Sequence, residues 1–222
     1  MTDQTLIGFD AWSALAGDSA TSRTEWAAVV GNWSEPHRRY HDLAHLAAVL
    51  GLVGRLAEHA TDPDAVRLAA WYHDVSYDPE RTDNEQVSAD RARVGLRGLV
   101  PDERIDEVER LVLLTATHAA EPGDTNGAVL CDADLAVLAS PPEAYAAYAS
   151  AVRAEYGHLS DDVFTAGRIA VLARLQALPQ HYRLPAVADE WTTRARANMT
   201  AEVTLLRSRA ASGDGAPPPA AG

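Results

Sequence analysis

An all-α fold is predicted by three features of this 222-residue sequence. Apolar residues recur at helical spacing through almost every long segment. Helix-starting residues stand in front of several of those segments. No run of alternating, β-branched residues bounded by hairpin turns offers a strand.

Two helices are expected around Asp10 and Trp26. From Tyr40, apolar residues fall at Leu43, Leu46, Ala47, Leu50, Val53 and Leu56, the stripe of a one-sided helix. Asp62 and Pro63 then supply an N-cap and a first-turn proline, and Val66, Leu68, Ala69 and Trp71 lead into His73 and Asp74. Helices are expected over residues 84–99 and 101–118, the latter opened by proline and acidic residues that suit the positive end of the helix dipole. A turn at residues 121–124 precedes helical stretches over residues 128–138, 142–156, 161–178 and 185–208. Residues 1–210 carry no repeat and no clear linker, which predicts one domain. The tail ASGDGAPPPAAG, residues 211–222, has too little to bury and is expected to be disordered.

The net charge of -13 argues against a nucleic-acid polymer or an anionic membrane as partner, because both need a basic patch. A phosphorylated small molecule is not excluded, since it sees only local charge. Cys131 is the sole cysteine, so no internal disulfide forms, and it reads as a buried residue. No apolar run approaches the ~20 residues needed to cross a bilayer, and no signal-like sequence opens the chain. A cytoplasmic location is the expectation.

The chemistry-bearing residues sit in otherwise apolar surroundings. RYHDLAHL, residues 39–46, holds His41 and His45 four apart, which places them on one face if both are helical. WYHD, residues 71–74, ends an apolar helix on His73 and Asp74, and burying such groups is costly unless they are paired or bound to a cation. Neighbouring side chains on a helix diverge by about 100°, but at a helix end both reach a cation near the terminus. LVLLTATH brings His118 to the end of another apolar helix, and LCDADLAVL places Asp132 and Asp134 inside an apolar run. Imidazoles and carboxylates without thiolate make a ligand set for Zn, Mn, Fe, Co, Ni or Mg. Arg38, Arg39 and Arg81 lie beside these motifs, where a guanidinium clamps a phosphate or simply solvates a face. Trp26, Trp33, Trp71 and Trp191, and the stripe of Tyr145, Tyr148 and Tyr156, read first as packing residues.

The order histidine, His-Asp, then aspartate on an all-helical chain resembles the HD superfamily of metal-dependent phosphohydrolases over residues 37–138. YHDLAHL is similar to the YHNxxH signature of HD proteins and cyclic-nucleotide phosphodiesterases. Together with WYHDVSYDP, NEQVSA, TATH, DADLAVL, ARAN and the late Arg153, Glu155, Arg194, Arg196 and Asn198, it resembles an uncharacterised bacterial family of predicted HD phosphohydrolases, out to about residue 199.

The resemblance implies one HD-type helical bundle with additional N- and C-terminal helices. It implies metal ligation by His45, His73, Asp74 and Asp134, with Asp132 supporting from behind. His41 matches a histidine that protonates the leaving oxygen, or is an outer hydrogen-bond partner. His118 lies where some members bind a second metal, so a partial second site is implied, and it is the alternative to His41 as catalytic proton donor to the leaving oxygen. Glu85, with Ser88 nearby, falls where members place an acidic residue near the metal water, and Asp74 is a further candidate for that proton. The implied activity is metal-activated hydrolysis of a phosphate ester or anhydride in a nucleotide or small phosphorylated metabolite. An HD-type diiron oxygenase and a non-catalytic nucleotide-binding regulatory module are the alternatives. Substrate and oligomeric state are not encoded in these motifs.

Overall fold

The computed structural model describes residues 3–212. Among them the chain runs as α1 (Asp3–Leu6), α2 (Phe9–Ala16), α3 (Ala20–Trp33), α4 (Leu43–Arg55), α5 (Pro63–Tyr72), α6 (Asn84–Leu96), α7 (Asp102–Leu114), α8 (Thr125–Asp134), α9 (Pro142–Glu155), α10 (Asp161–Gln176) and α11 (Ala188–Ser212). Short 3-10 helices occupy Ala57–His59 and Leu135–Ala139. No strand forms among the described residues, where an isolated bridge joins Arg97 to Val100. The all-α expectation holds. Among the described residues no helix is long and apolar enough to cross a membrane.

Capping side chains, more than periodicity, decide where helices begin. Asp62 accepts from the Ala65 amide with Pro63 in the first turn, as expected from sequence. The expected start at Tyr40 is displaced, because Asp42 accepts from the Ala44 and His45 amides and makes Leu43 the first residue of α4. His41 therefore lies before the helix, not one turn below His45 on it. Asp124 likewise caps Gly127 and starts α8 at Thr125, ahead of the expected residue 128. Glycine at 127 leaves room for the capping Asp124 carboxylate and for Leu114, both of which an added Cβ would displace.

The helix expected to reach His118 stops at Leu114. There the Thr115 hydroxyl donates to the Val112 carbonyl at 2.7 Å and competes with the helical ladder. At the other end α11 runs through Ser212, past the expected stop near residue 208. The rest of the expected disordered tail, residues 213–222, lies outside the described residues.

Two apolar cores form. Trp12, Trp33, Leu46, Leu68, Trp71, Leu111 and Leu130 belong to the first, built around α4, α5, α7 and α8. Leu138, Tyr145, Leu172, Tyr182 and Met199 belong to the second, from the later 3-10 helix through α11. The chain passes from one to the other at Asp134, between Ala133 in the first core and Leu135 in the second. Cys131 is buried, as expected.

Candidate metal centre

Helix ends converge at this junction. His45 lies in the first turn of α4, His73 is the C-cap of α5, and Asp134 is the last residue of α8. His45 Nε2 and His73 Nε2 face each other at 3.2 Å. Asp134 Oδ1 lies 3.2 Å from His45 Nε2 and 3.5 Å from His73 Nε2. Asp74 Oδ2 lies 3.4 Å from His73 Nε2. One ligand atom each from His45, His73 and Asp74 falls within 4.8 Å of the other two, and this group can hold a metal ion. Away from this cluster, no other such group of three forms among the described residues.

The donor set fits a divalent cation. Bonds of about 2.1 Å place neighbouring ligands about 3.0 to 3.4 Å apart in octahedral or tetrahedral shells, and the His45–His73, His45–Asp134, His73–Asp134 and His73–Asp74 pairs are separated by 3.2 to 3.5 Å. His73 Nδ1 donates to the Ala70 carbonyl at 2.8 Å, so the lone pair of Nε2 points inward. Burial holds the His45 imidazole below its ordinary range, in the neutral form a metal requires. Burial also opposes a charge on His73, but the Asp74 and Asp134 carboxylates lift it to about 9. The field that favours a proton there favours a cation equally. Burial works against the Asp134 carboxylate too, yet His73, His118 and His45 hold it well below the usual range. Trp33 backs the pair, its ring centroid 5.3 Å from that of His73, and Tyr40 lies 4.7 Å from His45.

His41 stands beside this group. Its Nε2 is 4.0 Å from Asp74 Oδ2, and its Nδ1 is 2.8 Å from Glu155 Oε2. Tyr77 stacks on the His41 ring at 4.1 Å and donates its hydroxyl to the same Glu155 oxygen at 2.9 Å. The other oxygen, Oε1, accepts the backbone amides of Arg39, Tyr40 and His41 at 2.8, 2.8 and 2.9 Å. The Glu155 side chain has no exposed surface. Burial opposes its charge, but the His41 imidazole and these amides hold the carboxyl at about 2. Sequence had marked Glu155 without giving it a role. Its signal was an acid with the apolar residues Ala151, Val152 and Leu159 four before, three before and four after it.

The remaining sequence-derived candidates divide by position. His118 Nε2 is 2.8 Å from Asp134 Oδ2, in a turn whose left-handed backbone (φ 54°) is uncommon for a residue with a side chain. Asp132 turns away from the cluster and accepts the Arg183 and Leu184 amides at 2.8 to 3.0 Å. Arg38 is not a phosphate clamp. Its guanidinium is buried and donates to the carbonyls of His41, Asp74 and Val75 and to Glu35, stapling the turn before α4 to the one after α5. Arg39 is exposed, donates to the carbonyls of Pro36 and Arg38, and does not line the cavity above the cluster. Arg81 does line it, but is held bidentately by Asp83 at 2.9 and 2.7 Å. Glu85 lines the same cavity, whereas Ser88 is buried and bonds the Ser76 backbone.

That cavity measures about 420 Å³ and is lined by His41, Asp74, His118 and Asp134 at one end. Tyr148 and Tyr156 form part of its wall, a role their reading as packing residues missed. Arg174, absent from the sequence reading, also lines it, and its exposed guanidinium has no carboxylate partner among the described residues. No protein-family model, curated protein or solved structure matches the chain.

Proposed function

We propose that this chain is a divalent-metal-dependent phosphohydrolase acting on a phosphate ester or anhydride in a small metabolite. The observation that carries the reading is the meeting of His45, His73 and Asp74 within 4.8 Å, with Asp134 against them, at the end of a small-molecule-sized cavity. Those four residues would hold the cation, which when bound lowers the pKa of water and offsets negative charge on a phosphoryl group. The HD-like order of the same residues along the chain supports the same assignment.

The chain's own groups supply proton transfer and orientation. His41 presents Nε2 toward the cluster while Glu155 holds Nδ1, so a proton on Nε2 is aimed at a leaving oxygen and the charged ring is stabilised from behind. Glu85 lines the same cavity, and the HD-like pattern assigns it to take a proton from attacking water. His118 fixes the orientation of Asp134. Arg174 offers an unpaired positive charge to an anionic substrate.

Phosphate release from a panel of phosphate esters and nucleotides, with Mn, Co, Ni, Zn, Fe or Mg supplied, tests this directly. Turnover is expected to require the metal and to fall by at least about 100-fold in His41→Ala. Folded, metal-loaded protein that releases no phosphate from any member of the panel would overturn the reading.

A further inference from the structure

The cavity has two unlike sides. Toward α6 it is polar, with Arg81, Thr82, Asn84 and Glu85. The lining from α9, the following turn and α10 is mainly hydrocarbon, including Val152, Leu159, Val163, Phe164, Val171 and Leu175. Two basic groups interrupt that side: Arg168 is already engaged, donating to Glu202 at 2.8 and 3.1 Å and to the Tyr148 hydroxyl at 3.2 Å, while Arg174, in the last turn of α10, is left to meet an anionic group.

The rim continues the apolar wall into solvent. Val163 and Val171 are 57% and 39% exposed, and both line the cavity. A single exposed valine means little, but these two lie on one face of α10 with Gly167 between them, four residues from each. A Cβ at Gly167 would meet nothing within 4 Å, so no close approach of backbone demands glycine there. Glycine inside a helix is unfavourable relative to alanine. Its effect here is to leave the wall open where a side chain would project.

We propose that this wall seats the hydrocarbon part of the substrate, making the substrate a phosphate ester of an apolar alcohol, alkyl or aryl. The assignment rests on the phosphohydrolase reading and names its leaving group. Water adds to phosphorus, the ester P–O bond breaks, the departing oxygen takes the proton offered by His41, and phosphate and the free alcohol are released. A sugar or nucleoside leaving group would instead press hydroxyls and ring nitrogens against carbon, where they find no partners.

Two measurements test it. With n-alkyl phosphates from methyl to octyl, 2-naphthyl phosphate, glycerol phosphate and AMP, kcat/KM is expected to rise about fourfold per methylene over the first carbons and to exceed that for AMP. Calorimetry with n-alkylphosphonates, which are not hydrolysed, is expected to show the same chain-length trend in affinity with a negative heat-capacity change. Gly167→Phe, which projects a ring into the open space, is expected to flatten both trends. Gly167→Ala checks that position 167 tolerates a side chain, and Val171→Asp replaces the phenylalanine variant should that one not fold.

An active enzyme with no chain-length dependence, or with a preference for AMP, overturns the assignment and leaves the phosphohydrolase reading standing. Trends that persist unchanged in Gly167→Phe and Val171→Asp also overturn it. Phosphonate binding that strengthens with chain length, without turnover of any ester, supports the apolar wall and sinks the hydrolase.

Discussion

At the scale of single residues, the centre depends on which atom of each side chain is already occupied. His73 can offer Nε2 because the Ala70 carbonyl takes its Nδ1 proton, and His41 can offer Nε2 because Glu155 takes its Nδ1. In the proposed mechanism Glu155 is therefore a positioning residue that acts through His41. In Glu155→Gln the shape is kept but the charge behind the imidazole is lost. kcat is expected to fall about 100-fold or more, with KM and metal content little changed. The same carboxyl contributes to stability. Its folded pKa of about 2 lies below the ordinary 4.5, so the contribution is complete above 4.5 and is lost as pH falls toward 2. That contribution is of order 3 kcal/mol, and urea unfolding at pH 7 and pH 3 should show a smaller acid loss in Glu155→Gln. Full kcat in this variant would remove Glu155 from the mechanism.

At the scale of elements, the end of α8 separates two aspartates that sequence could rank only through a family resemblance. Two residues along a helix are about 200° of rotation, so Asp132 and Asp134 face opposite ways. Asp132 fastens the segment at Arg183 and Leu184, and Asp134 faces the imidazoles. Asp132→Ala leaves buried amides without an acceptor and is expected to cost about 2 to 3 kcal/mol while metal content persists. Asp134→Ala is expected to lose metal affinity. Thermal melts and metal analysis of the pair check both, and metal loss in Asp132→Ala alone would exchange their roles. Helix existence was legible throughout because periodicity reports burial. Boundaries such as Leu43 and Leu114 were not, because Asp42 and Thr115 act through local hydrogen bonds that leave the apolar pattern unchanged.

At the scale of the molecule, the candidate centre lies where two cores meet, and this governs what could be read in advance. His45, His73, Asp74 and Asp134 stood out because each interrupts an apolar segment. Glu155 and Arg38 did not reveal their work. Glu155 binds backbone more than 110 residues away in the chain, and Arg38 spends its donors on carbonyls, which no side-chain pattern encodes. Arg39 and Arg81 looked like phosphate clamps by adjacency alone. The proposed function depends on a cation at the junction. Elemental analysis of the native protein and of Asp74→Ala, each after equilibration with excess divalent metal and gel filtration, tests this most directly. The account predicts about one ion per chain in the native protein and at least about tenfold weaker retention in the variant. Native protein that binds no metal, or Asp74→Ala that keeps its full complement, would contradict it.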